Sequence, residues 1–158
     1  PSGYTYKRRL GSVRTDGSGN FLAFSQQGDE FLWLASVLDV NSVNPGATAV
    51  TRTLTVPTGV RVWAQVNATV SNAGAAVAAV GLLSELDRND EAPAFSAAPL
   101  GNIGRAASSA GASSVNNARI EIRTNTSAQI RSRLDQSDAN VTLLIATTGW
   151  IDRRGRDD

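Results

Sequence analysis

A long alternation of small apolar and polar residues between positions 60 and 70 constrains this chain more than any other feature. Valine or alanine stands at every second position. The positions between them carry larger or polar side chains, namely Arg61, Trp63, Gln65, Asn67 and Thr69. Because side chains alternate between the two faces of a β-strand, the run predicts a strand with one apolar face and one mixed aromatic and polar face.

Further strand-like runs, separated by turn signals, recur about every ten residues. Val50, Leu54 and Val56 predict a strand that the turn Pro57-Thr58-Gly59 joins to the first run as an antiparallel hairpin. The other runs are an opening hairpin around Asp16-Gly17 and Gly19-Asn20, and residues 21–24, 31–38, 73–83, 120–123, 128–133 and 141–151. Residues 73–83 also fit a short helix, but we favour a strand.

The run at 31–38 is apolar at nearly every position, which indicates a central strand buried on both faces. We expect Trp33 in this run and Trp150 near the last strand to pack in the interior. With no strong helix pattern, the sequence predicts an all-β fold: an antiparallel β-sandwich, jelly-roll-like, with about nine or ten strands.

The length of 158 residues fits one domain with one hydrophobic core. The chain contains no methionine and begins at Pro1 with a hairpin pattern, so we expect a single module, residues 1–158, from the C-terminal part of a longer chain. Residues 87–117 are rich in Pro, Ala, Ser, Gly and Asn and show little periodicity. They predict a long loop, which in a compact domain is usually functional or mobile.

The absence of cysteine and histidine removes thiolate nucleophiles, imidazole bases and the usual zinc ligands. Only carboxylates remain for acid–base chemistry, and no two of them can be paired from the sequence. Asp87, Asp90 and Glu91 superficially indicate a cation site, but the spacing of a calcium loop is missing. We therefore expect a protein that is not an enzyme and has no cofactor and no metal site.

The net charge of +1 gives no overall field that would attract nucleic acid, and no apolar run is long enough to cross a bilayer. The basic segments Lys7-Arg8-Arg9 and Arg153-Arg154-Gly155-Arg156 lack interleaved aromatic residues. We expect no nucleic-acid binding and no membrane insertion. Four arginines lie on predicted strands, namely Arg119, Arg123, Arg131 and Arg133. We expect them to face Glu121 and Asp135 across a ladder or a subunit boundary.

The candidate site is the face opposite the valines, with Arg61, Trp63, Gln65 and Asn67. An exposed tryptophan beside guanidinium and amide donors suits stacking on a sugar ring. Alternatively, this face packs against a second sheet or a neighbouring subunit, which we favour. Phe95, within the long loop, is a further candidate contact for a ligand or a subunit.

The first 34 residues resemble the start of a C-terminal module common in tailed-phage and prophage structural proteins. The residues that carry this resemblance are Pro1-Ser2-Gly3-Tyr4, Lys7-Arg8-Arg9-Leu10-Gly11-Ser12, Val13-Arg14-Thr15-Asp16-Gly17-Ser18-Gly19-Asn20, Phe24 and Gln27-Gly28-Asp29 before Phe31. Beyond residue 34 the likeness is only architectural, and it assigns no binding residues.

This resemblance implies a virion component on the surface of an extracellular particle. It implies a tail-fibre tip or receptor-binding module, usually a homotrimer, which contacts other virion proteins and attaches to a host cell-surface glycan or protein, such as a surface polysaccharide. The alternative is a purely structural head or tail decoration or fibre-attachment domain that binds no host receptor.

Overall fold

The computed structural model describes residues 3, 9–74, 77–108 and 112–153, which form nine β-strands in two antiparallel sheets. The strands are β1 (Phe24–Gln27), β2 (Glu30–Val43), β3 (Val50–Thr53), β4 (Trp63–Asn72), β5 (Ala78–Ser84), β6 (Ile103–Ala107), β7 (Ser114–Arg123), β8 (Gln129–Leu134) and β9 (Val141–Ile151). The described part of the chain contains no helix, and thus no helix that could cross a membrane. The predicted antiparallel β-sandwich is confirmed.

The larger sheet has the strand order β1-β2-β9-β4-β7, and the smaller sheet has the order β3-β8-β5-β6. Setting β1 aside, the first strand pairs with the last, the second with the seventh, the third with the sixth, and the fourth with the fifth. This nested pairing is what results when a long antiparallel hairpin wraps into two sheets, and it defines an eight-stranded jelly roll. Strand β1 extends the larger sheet by one strand beside β2.

The alternation at 60–70 places one face of β4 in the core, as predicted. Val62, Ala64, Val66, Ala68 and Val70 are all at most 1% exposed. The smaller sheet supplies the opposite side of the same core, with the buried side chains Leu83, Ile103, Ile130 and Leu134. Burial of this continuous apolar layer holds the two sheets face to face.

An aromatic cluster fills one part of the core, where Phe24, Phe31, Trp33 and Trp150 meet with ring centroids 4.5–6.4 Å apart. Trp33 and Trp150 are both buried, as expected, and the indole nitrogen of Trp33 donates a hydrogen bond to the carbonyl of Thr55 at 3.0 Å. Offset and edge-to-face ring contacts of this kind add stability beyond the buried area.

The prediction that residues 31–38 are buried on both faces is wrong. Phe31 and Trp33 face the core, but Leu34 is 71% exposed and Leu38 is 55% exposed. Among the described residues, no element covers the outer face of β2, and β1 pairs only with the first four residues of β2. The β2–β9 register also shifts between Leu32 and Val37, so that the intervening residues bulge out of the ladder.

The predicted hairpin between residues 50 and 70 is also wrong. Strand β3 pairs with β8 in the smaller sheet, whereas β4 pairs with β7 and β9 in the larger one. The segment between them crosses from one sheet to the other, and its apolar side chains Leu54, Val56 and Val62 are buried. An apolar connection of this length stabilises the fold better between two sheets than in a solvated turn.

The predicted loop at 87–117 is only partly a loop, because it contains β6 and the start of β7. The sequence pattern did not reveal these strands because their residues are mostly small or polar. Strand β6 pairs with β5, and β7 pairs with β4. The favoured strand within 73–83 is confirmed as β5, but it begins only at Ala78, and residues 75 and 76 lie outside the described residues. The strand expected at 21–24 begins only at Phe24, and residues 15–21 form the predicted turn, closed by a bridge from Thr15 to Phe21. Residues 4–8 of the opening hairpin lie outside the described residues.

Candidate binding face and cleft

The face of β4 that carries Trp63, Gln65 and Asn67 points away from the smaller sheet. The smaller sheet covers the valine side, so the expectation that a second sheet packs on the Trp63 side is wrong for the single chain. This outer face of the larger sheet can therefore contact either solvent and ligands or another molecule.

The outer face divides into two halves of different chemistry. The half formed by β2 and β9 is apolar, with Leu38, Val43, Leu144 and Ala146 on it. The half formed by β4 and β7 is polar; its outward residues include Asn67, Thr69, Asn117 and Arg119. Apolar side chains left without cover on one half, next to a polar half, are typical of surfaces that bind other molecules.

Gln65 lies on the outer face but is only 1% exposed. Its amide nitrogen donates hydrogen bonds to Glu30 Oε1 at 2.8 Å and to Glu121 Oε1 at 3.2 Å. Strand β9 runs between Gln65 and Glu30, and its residue at this level is Gly149, which has no side chain to block the path. Gln65 thus links β4 to both β2 and β7, and its amide group has no free donor for a ligand.

Trp63 is half-buried at the start of β4 and stands directly opposite Arg123 on β7. The guanidinium of Arg153 lies over its ring, 5.7 Å from the centroid, within the range of a cation–π contact. Asn67, two positions beyond Gln65, is exposed opposite Arg119. The three predicted residues on β4 therefore differ in availability: Gln65 is occupied, Trp63 is partly covered and Asn67 is open.

A cleft of about 210 Å³ lies next to Trp63, where the chain enters β4 and leaves β5 and β7. Its lining residues are Arg61, Glu85, Leu86, Asp87, Arg123, Thr124 and Asn125. Arg123 Nη2 and Asp87 Oδ2 form an ion pair at 2.7 Å within it. Of the residues that the sequence predicted for a site, only Arg61 lines the cleft.

The acidic segment 85–91 is bound by Arg123 on β7 and by Arg131 and Arg133 on β8. Arg131 donates to the carbonyl oxygens of Leu86 and Arg88 at 3.2 and 2.8 Å, and Arg133 pairs with Asp90 at 2.9 Å. The expected pairing of these arginines with Glu121 and Asp135 across a ladder is therefore wrong within the chain, whereas the alternative, pairing across a subunit boundary, stays a prediction. Glu121 accepts from Gln65, and Asp135 accepts backbone hydrogen bonds from Val80 and Gln136.

Three carboxylates of this segment thus already have guanidinium partners: Asp87 and Asp90 at 2.7 and 2.9 Å, and Glu85, more loosely, at 3.9 Å from Arg88. Within the described ranges, no three carboxylate, imidazole or thiol groups lie close enough together to hold a metal ion.

Arg9, which the sequence placed in a basic segment, pairs with a buried carboxylate. Its Nη2 lies 2.7 Å from Asp152 Oδ1, and the hydroxyl of Ser12 donates to Asp152 Oδ2 at 2.6 Å. Asp152 is fully buried directly after β9. Arg9 and Ser12 therefore attach the N-terminal segment to the end of the last strand.

Phe95 is 64% exposed, and the guanidinium of Arg105 on β6 lies 4.8 Å above its ring. Its loop is closed by a bridge between Ala94 and Leu100. Phe95 does not line the cleft beside Trp63, so the predicted site residues do not form one constellation.

Sequence reasoning missed Asp87 and Arg123 as cleft residues. Both stood out, one in the acidic segment and one in a strand alternation, but only the sheet pairing brings them together. No model of a known protein family matches this chain, and a search of curated proteins also found no match.

Proposed function

We propose that this protein is a non-enzymatic virion component of a bacteriophage, a fibre-tip or receptor-binding module that attaches to a glycan or protein on the host cell surface. In this proposal it acts as a homotrimer on the surface of the particle, together with other virion proteins. The resemblance of residues 1–34 to modules of tailed-phage structural proteins supplies the biological setting.

The outer face of the larger sheet is the observation that carries the proposal. Its apolar half offers Leu38, Val43 and Leu144 for contact between subunits, which favours association through the hydrophobic effect. The cleft at the end of this sheet, beside Trp63, stays available for a hydrophilic ligand. The larger sheet thus supports assembly on its outer face and recognition at the end of its strands.

A purely structural virion domain without receptor binding is the second candidate. Phe95 and Leu100, each 64% exposed on one loop, support it. In a structural domain, such side chains would be covered by neighbouring virion proteins.

Light scattering and binding to whole cells of candidate hosts, measured on the same sample, test the proposal. We expect a trimer that binds one host and is displaced by the surface polysaccharide of that host. Leu38→Asp, on the apolar half, should dissociate the trimer, whereas Thr69→Ala on the polar half should not. A wild-type protein that is a monomer and binds no host would overturn the proposal, and an oligomer that binds no host would favour the structural domain.

The variant Trp63→Ala separates the two interpretations of the tryptophan. A shift from trimer to monomer assigns Trp63 to the subunit interface, which the sequence analysis favoured. An unchanged trimer with lost cell binding assigns it to the receptor site.

A further inference from the structure

Arg61 is the one guanidinium of the cleft for which the described part of the chain provides no hydrogen-bond or ion-pair partner. It is exposed, directly precedes the buried Val62 and stands two residues before Trp63. An arginine held at the wall of a cleft by the strand that follows it presents a planar donor pair, which matches a carboxylate bidentately.

The charged groups that line the cleft balance in number, with Arg61 and Arg123 against Glu85 and Asp87. Asp87 pairs with Arg123, and Glu85 lies 3.9 Å from Arg88, which is not part of the lining. Both carboxylates thus already have a guanidinium neighbour, and Arg61 is the guanidinium of the lining that is left without a counter-charge among the described residues. An anionic group bound beside Arg61 would supply that counter-charge.

The cleft also contains acceptors, and these narrow the class of ligand. Asp87 is half exposed and uses one carboxylate oxygen for Arg123, while Glu85 contributes a second carboxylate to the lining. The amide of Asn125 and the hydroxyl of Thr124 are engaged within the fold. A ligand that satisfies this set carries one anionic group for Arg61 and hydroxyl donors for the carboxylates.

We propose that this cleft binds the carboxylate-bearing sugar residue of an acidic saccharide, with Arg61 holding the sugar carboxylate and Asp87 and Glu85 accepting from its hydroxyls. This assignment rests on the proposed receptor-binding function, because it names the class of glycan that this cleft recognises. The cleft volume of about 210 Å³ is large enough for one sugar ring.

D-Glucuronate and D-glucose are the matched probes, because they differ only in a carboxylate in place of a hydroxymethyl group. In an NMR titration of the full chain, we expect glucuronate to shift the backbone amide signals of residues 61, 85–87 and 123–125. Glucose should bind at least ten times more weakly. Arg61→Gln should weaken glucuronate binding at least tenfold, and Arg61→Lys should fall between Arg61→Gln and the wild type because a single ammonium replaces the planar donor pair.

Arg119→Gln is the control variant, since it removes the same charge from an exposed position on the outer face of β7. It should change the affinity for glucuronate less than twofold. Equal losses in Arg61→Gln and Arg119→Gln would indicate unspecific attraction and overturn the proposal, as would equal affinities for glucuronate and glucose.

The test separates this proposal from the proposed function. Selective loss of glucuronate binding in Arg61→Gln supports the site even if the protein attaches to no host cell. Attachment to host cells without any binding of glucuronate overturns the site alone and leaves the receptor-binding function standing.

Discussion

The inner and outer faces of the larger sheet are built on the same strands but follow different rules. On the inner face, Val66, Val70, Leu143 and Ile145 are fully buried and uniformly apolar. On the outer face, apolar residues on β2 and β9 give way to amides and charges on β4 and β7. The inner face mainly excludes water from the core, whereas most outer positions are not held by contacts between the sheets and can differ in chemistry from strand to strand.

The comparison shows that the sheet face on which a residue lies does not by itself determine whether that residue is buried. Gln65 belongs to the outer face by its position on β4, yet it is as inaccessible as the valines beside it. Its burial comes from Glu30 and Glu121, which lie on two other strands. The alternation of β4 therefore predicts direction correctly, but the neighbouring strands decide access.

The largest expected effect is the difference in unfolding free energy between substitutions at two adjacent residues of β9, one on each face of the sheet. Ile145→Ala should lower the free energy of unfolding by about 2–5 kcal/mol, because it leaves a cavity between the sheets. Leu144→Ala, on the half-buried outer side, should cost about 1 kcal/mol or less in the monomer. Urea denaturation of both variants measures the difference.

If the apolar half of the outer face joins subunits, the cost of Leu144→Ala should also depend on protein concentration, while that of Ile145→Ala should persist at every concentration. Equal losses for the two variants at low concentration would contradict the division of the sheet into a core face and a contact face.

A smaller effect tests the buried amide on the outer face. Gln65→Leu should destabilise the protein by about 1–2 kcal/mol, because Glu30 and Glu121 lose their shared donor and must be hydrated instead. Asn67→Leu, two residues further along the same face but exposed, should change stability by about 0.5 kcal/mol or less. Thermal unfolding of the pair provides the comparison, and a Gln65→Leu protein as stable as Asn67→Leu would show that the bridge contributes nothing.

The smallest effect concerns the turn at residues 16–20, which belongs to neither face. Hydrogen bonds from the backbone and side chain of Asn20, and from Ser18, lower the pKa of Asp16 below its usual 3.8. Since the folded pKa is depressed, the contribution of Asp16 is present above pH 3.8 and disappears as the pH falls through the folded value.

The amides of Ser18 and Asn20 should therefore lose protection against hydrogen exchange, measured relative to the intrinsic rate at each pH, as the pH falls through the folded pKa of Asp16. The strand amides on both faces of the larger sheet should stay protected. An Asp16→Asn variant should lose the transition. Simultaneous loosening of the turn and the sheet would show that the turn is not an independent unit.

Much of the fold was predictable because alternation is a local property. The apolar face of β4, the burial of Trp33 and Trp150, and the sandwich itself follow from residue patterns within single strands. The pairing of β3 with β8 and the strand β6 were not predictable, since pairing joins residues far apart in sequence and small residues carry little pattern. For the same reason the sequence could identify Arg61 but not the cleft that it lines with Asp87 and Arg123.

The sequence by itself determined that the chain forms β-strands, that β4 has one apolar face, and that the chain contains no thiol or imidazole group. Only the tertiary structure decided which strands are neighbours and that Leu34 and Leu38 face outward. It also decided that Gln65 is buried and hydrogen-bonded while Arg61 is exposed at the cleft. The physical reason is that the direction of a side chain is set by its own backbone, whereas its exposure and its charge partners are set by residues that reach it through the fold.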